Sequence, residues 1–167
     1  MTQSEQELLE LAKQVIELND KNLGSIMLTG SLMLAVRGLN KAREAGDIDI
    51  LCSMLTAYEL GHPVMPAGFK EVGIDGMKSE VNAIQFKNED GIKVEFMHSE
   101  EPRDLVDGVY CAQVNGMLYA KVLYSSRDKN EESRKKHVAD VLYFLEHNDA
   151  TYTPKLTKQN SADDLPF

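Results

Sequence analysis

Cysteine is almost missing from this chain: among 167 residues there are two, Cys52 and Cys111. That scarcity excludes a disulfide framework and a cysteine-rich metal site, and the expected state is two reduced thiols, with Cys52 inside a core strand. Histidine is nearly as sparse. His62, His98, His137 and His147 are scattered without ligand spacing, which argues against zinc. Basic residues are outnumbered, 18 against 27 acidic ones, for a net charge of -9. A surface of that sign repels long nucleic acid and anionic membrane, leaving a small substrate or an RNA end held by a local basic patch. The dense basic stretch is "SRKKH", residues 133–137. No apolar run approaches membrane-span length, and "MTQSEQELLELAKQ" is acidic and amphipathic where a signal peptide is basic and then apolar. A soluble cytoplasmic protein is expected. Walker-type phosphate loops and Gly-x-Ser-x-Gly elbows are also missing.

What is present suits one domain with a core of its own. Ser4 and Glu7 have the form of a capping box, followed by Leu8, Leu11, Ala12, Val15 and Ile16 at helical spacing to about Asn19. "SIMLT" reads as a short buried strand ending at Gly30, "SLMLAVRG" as a short helix stopped by Gly38, and "DIDILC" as a second strand. "SMLTAYELG" reads as a helix, and "HPVMPAG" as a loop. "EVNAIQF" and "IKVEFM" alternate around "KNEDG" as a hairpin, and "VYCAQVNGMLYA" has the same form around "VNG". Two C-terminal helices follow, "YAKVLYSS" and "EESRKKHVADVLYFLEH", the second with Val138, Val141, Leu142 and Leu145 as its inward stripe. The order predicts an α/β or α+β domain over residues 1–148, a mixed β-sheet flanked by helices. Residues 149–167 lack apolar periodicity and read as a loosely attached tail.

The strand "DIDIL" carries the chemistry. Residues two apart on a strand share a face, so Asp47 and Asp49 stand together while Ile48 and Ile50 face the core. In "IKVEFM" the same parity puts Glu95 opposite Val94 and Phe96. If the two strands lie near each other, three carboxylates converge, the donor type that holds magnesium together with substrate phosphates. The ordinary reading of Asp-Ile-Asp alone is a half-exposed sheet face. What sharpens it is "LTGSLM", a strand turning into a helix at Gly30-Ser31, where a phosphate can sit on the first helical amides. Lys121, Arg134, Lys135 and Lys136 lie on helices that could reach a triphosphate, though solvated surface charge is the commoner role of such residues, while Arg43, close before the two-aspartate strand, reads equally as a phosphate contact or a loop anchor.

"LTGSLMLAVRGLNKAREAGDIDILCS" resembles the signature of the nucleotidyltransferase superfamily with the DNA polymerase beta-like fold: Gly-Ser at a strand-helix turn, then Asp-x-Asp on the next strand. The third carboxylate of that pattern matches Glu95 of "KVEFM". Arg43 and "SRKKHVADVLYFL" look like the bacterial subgroup of minimal nucleotidyltransferases and AbiEii-type abortive-infection toxins, with Lys136-His137 where related helices tend to carry Lys-Asp. The resemblance implies a nucleotidyltransferase-like fold and transfer of a nucleoside monophosphate from ATP or another NTP to an acceptor hydroxyl. It further implies that Asp47, Asp49 and Glu95 bind magnesium as the catalytic set, Glu95 also helping to deprotonate the acceptor. Gly30, Ser31, Arg43, Lys121 and Lys136 would hold the nucleotide. The acceptor is left open as a protein, an RNA end or a small molecule. The alternative is a catalytically inactive module of the same fold that binds a ligand or a toxin-antitoxin partner.

Overall fold

In a computed structural model of the protein, residues 1–55, 61–72, 83–128 and 130–148 are described. The fold is α+β, a mixed seven-stranded sheet with four helices. Helix α1 (Gln3–Asn19) leads into β1 (Ile26–Thr29), α2 (Gly30–Val36) and β2 (Ile48–Cys52). The strands β3 (Lys70–Val72), β4 (Ala83–Lys87), β5 (Lys93–His98), β6 (Arg103–Val106) and β7 (Val109–Ala112) follow, then α3 (Val114–Arg127) and α4 (Glu131–His147). The sheet order is β3-β4-β5-β2-β1-β7-β6. Its centre is unusual for consecutive strands: β2 is antiparallel to β1 but parallel to β5. The strand bearing the aspartates thus lies between the strand of the Gly-Ser turn and the strand of Glu95.

Strand parity divides the sheet. Ile48, Ile50 and Cys52 of β2, with Val94 and Phe96 of β5 and Ile26 and Leu28 of β1, pack against Leu8, Leu9, Ala12 and Val15 of α1 and Leu32 and Met33 of α2. Burying each large side chain of this kind contributes about 1.5–3 kcal/mol. The other face carries Asp49, Glu95 and Thr29, with Met27, Leu51 and Ala112 as a small second cluster. Both cysteines are free and buried, and burial pushes the Cys52 thiol up to about 12 and the Cys111 thiol up to about 11, so they are protonated core groups. No helix among the described residues is long and apolar enough to cross a membrane.

Four local expectations are corrected. The capping box is Thr2 with Glu5, two residues before Ser4 and Glu7. Glu5 is drawn inward because its carboxylate also takes Lys41 at 2.7 Å and the amide of Ala45 at 3.1 Å. Burial alone would raise its pKa, yet these contacts hold it down at about 2. "VNG" opens α3 and makes no hairpin; the turn lies at Asp107 (φ 48) and Gly108 (φ 79), the Asp-Gly pair that a two-residue hairpin between β6 and β7 requires. Helix α3 begins at Val114, five residues before the expected Tyr119. In α4 the inward residues are Val141 and Phe144, while Val138, Leu142 and Leu145 are 45%, 55% and 37% exposed. The helix is rotated because Asp140 and Asn148 must also face inward to bond the segment before β2. The expected helix through 56–60 and the expected tail after 148 lie outside the described residues.

Candidate active site

A transverse row crosses the open sheet face. Gln85 on β4 is in register with Glu95, Glu95 with Asp49, and Asp49 with Thr29. Neighbouring strands are about 4.8 Å apart, so the Asp49 and Glu95 carboxylates emerge side by side. Two full charges about 5 Å apart repel by roughly 3 kcal/mol at an effective dielectric near 20. The protein leaves that repulsion largely uncompensated. Burial, then the Asp47 charge, pushes Asp49 up to about 6, only moderated by Lys121, Lys93 and Lys136. Burial, then Asp49 itself, pushes Glu95 up to about 7. Near neutral pH the pair therefore retains part of a proton unless a cation arrives. Asp47, just before β2, is half-exposed and lies 3.8 Å from Lys93.

Above this row lies a cavity of about 270 Å³, with Thr29, Gly30, Asp49 and Glu95 on its floor and Leu51 and Met97 further along the same strands. Gly116, Met117, Ala120 and Lys121 of α3 form one wall, and Asp128, Ser133 and His137 the rim by α4. Gly30 is indispensable to the floor. Its φ is +72, a conformation that L-residues rarely adopt, and a Cβ there would collide with the Asp49 carboxylate. A close backbone approach to Asp49 is thus built into the turn between β1 and α2.

The expected nucleotide-binding residues divide into two groups. Gly30 and Lys121 line the cavity. Ser31 and Arg43 instead line a narrow cleft beside it, together with Lys41, Lys121 and Asp140. Asp140 is the hub of that cleft, accepting from Arg43 at 2.6 Å and from Lys121 at 3.2 Å on one oxygen, while its other oxygen is buried without a partner among the described residues. Asn148 strengthens the same junction by exchanging bonds with the backbone of Asn40 at 2.9 Å each way. Arg43 is therefore a loop anchor in this state. Lys136 is exposed on α4, and its charge acts on Asp49.

Sequence reasoning missed Asp140, Asp128 and Ser133. For Ser133 and Asp140 the signal was a polar stripe at helical spacing on α4, Ser133, His137 and Asp140, leading to the buried Phe144. His137 lies 3.4 Å from the Ser133 hydroxyl and 3.8 Å from Asp128, and burial followed by the nearby Lys121 charge lowers its pKa. Burial therefore favours the uncharged form of its imidazole.

The donor set fits magnesium. That ion binds hard oxygens and takes only one or two carboxylates when substrate phosphates complete its shell. Asp49 and Glu95 supply two such groups, raised in pKa by burial and then by neighbouring carboxylates, beside a glycine cradle that a side chain would fill. Among the described residues, no three histidine, cysteine, aspartate or glutamate side chains are already grouped around one point. Substrate oxygens would have to complete the coordination.

No protein-family model matches the chain, and no curated protein matches it. Among solved structures the chain is similar to the crystal structure of an antigenic nucleotidyltransferase-like protein from Paracoccidioides brasiliensis, at 12% identity over 87% of this chain and 78% of that one, with a TM-score of 0.48.

Proposed function

We propose that this chain is a magnesium-dependent nucleotidyltransferase that moves a nucleoside monophosphate from an NTP to an acceptor hydroxyl and releases pyrophosphate. The observation that supports it best is the pair Asp49 and Glu95, register partners on adjacent strands at the floor of the cavity, under the Gly30 turn. Magnesium, when bound, would neutralise charge on the triphosphate and make its α-phosphorus easier to attack. The chain's own residues would do the rest. Asp49 and Glu95 would give up the protons they retain near neutral pH and hold the ion, with Asp47 at the entrance of the strand adding a third negative charge. Gly30 and Ser31 would receive the distal phosphates. Lys121, at the wall, would balance charge developing on the leaving pyrophosphate, helped by Lys136 on α4 and by Arg43 if it leaves Asp140.

Calorimetric titration with each of the four ribonucleoside triphosphates, with and without magnesium, tests this reading. Binding that requires both metal and the triphosphate is expected. Metal-independent binding would instead favour a non-catalytic ligand-binding module, and no binding would reduce the carboxylates to an acidic sheet face.

A further inference from the structure

The acceptor of the proposed reaction has a candidate within the cavity itself. We propose that Ser133 is an acceptor of the nucleotidyl group, so that the protein modifies its own α4. This rests on the nucleotidyltransferase reading and identifies a substrate for it.

The geometry sets a hydroxyl on the cavity rim beside a histidine and a carboxylate. Ser133 lines the rim of the cavity whose floor carries Asp49 and Glu95. Its side-chain oxygen lies 3.4 Å from His137 Nε2, one helical turn on, and that nitrogen lies 3.8 Å from Asp128 Oδ2. The hydroxyl also bonds the Asp128 carboxylate, so it sits between two acceptors; the imidazole nitrogen beside it is a general base of the kind that activates a weak oxygen nucleophile, and such contacts are commonly loose before substrate binds. The Ser133 backbone is fixed independently, its amide donating to the Asn130 cap at 3.2 Å. Ser31, the other serine near the carboxylates, lines the neighbouring cleft and has Arg43, Lys121 and Asp140 around it but no histidine.

The step balances without a further reactant. The Ser133 O–H bond breaks and its proton passes to His137 Nε2. The oxygen forms a bond to the α-phosphorus, and the bond from that phosphorus to the bridging oxygen of the β-phosphate breaks. Pyrophosphate leaves with the electron pair, and the imidazolium formed is stabilised by Asp128. His137 Nε2, 3.4 Å from this hydroxyl, takes the proton in place of the Asp128 carboxylate, whose pKa the Ser133 bond lowers.

Purified full-length chain incubated with magnesium and each NTP, followed by intact-mass and peptide mass spectrometry, is the test. One nucleoside monophosphate added on the peptide containing Ser133 is expected. Ser133→Ala should carry none while keeping metal-dependent triphosphate binding within about threefold of the parent by calorimetry. His137→Gln should slow the modification by roughly 100-fold, the scale of lost general-base assistance. A readout free of metal and nucleotide accompanies it: a fluorophosphonate probe should label Ser133, and at least about tenfold more slowly in His137→Gln. Intact triphosphate binding with no adduct, or with the adduct on another residue, overturns the Ser133 assignment and leaves the nucleotidyltransferase reading standing. Absence of metal-dependent triphosphate binding in the parent overturns that reading, and the Ser133 assignment falls with it.

Discussion

Asp49→Asn is expected to leave the metal-free protein at least as stable as the parent and to abolish magnesium-dependent triphosphate binding. The sign follows from the carboxylate pair. In the unfolded chain both groups titrate in the usual range near pH 4, whereas in the folded protein Asp49 is pushed up to about 6 and Glu95 up to about 7. Between those limits the folded state binds more protons than the unfolded one. The stability these groups contribute is present below about pH 4 and lost as pH rises through 6 and 7. An amide at 49 removes one charge and relieves Glu95, so the variant should gain on the order of 1–3 kcal/mol over the parent above pH 7 and little at pH 4. Magnesium with an NTP at about a hundred times its Kd should raise the parent's melting temperature by roughly 5–10 °C and leave the variant's unchanged. A variant that melts well below the parent without metal would make Asp49 a structural hydrogen-bonding residue.

Gly30→Ala should have the opposite effect on stability. A left-handed φ of +72 costs an L-residue about 1–2 kcal/mol, and forcing the Asp49 carboxylate aside adds a packing cost, for roughly 2–4 kcal/mol in all. Thermal unfolding should move down by roughly 5–15 °C. Because part of the cost is a collision with one named side chain, shortening that side chain should recover it. The double variant Gly30→Ala/Asp49→Ala is expected to be more stable than additivity allows by about 1 kcal/mol. Strict additivity would show that the turn's conformation alone, and not its close approach to Asp49, requires glycine.

The parts of this site that sequence periodicity could reach are the parts set by short-range rules. Alternation along "DIDIL" and "IKVEFM" puts Asp49 and Glu95 on the face away from Ile50 and Phe96 whatever else happens, because strand parity is local. That β5 would run parallel to β2 with Glu95 in register with Asp49 depended on how distant strands are ordered, which no local pattern states. Asp140 was invisible for the same reason: its partners Arg43 and Lys121 are 97 and 19 residues away. In α4 the apolar residues alone do not define the inward face, since Val138, Leu142 and Leu145 are exposed. The demand of Asp140 and Asn148 for polar partners outweighed the burial of Val138 and Leu142. The β6–β7 turn was legible in principle, since "VDGV" has the Asp-Gly pair, but "VNG" further on offered a competing signal.

The central claim is that Asp49 and Glu95 form one cation site whose repulsion the metal-triphosphate relieves. Carbon-detected NMR titration of the side-chain carboxyls, with and without magnesium and a non-hydrolysable triphosphate analogue, tests it most directly. Metal-free, the pair should titrate at about 6 and about 7. With both ligands present, the two carboxyls should stay ionised to lower pH, their apparent pKa values falling together by about 2 pH units. Titration curves that do not move when magnesium and the analogue are added, or that move for one carboxyl and not the other, would contradict it.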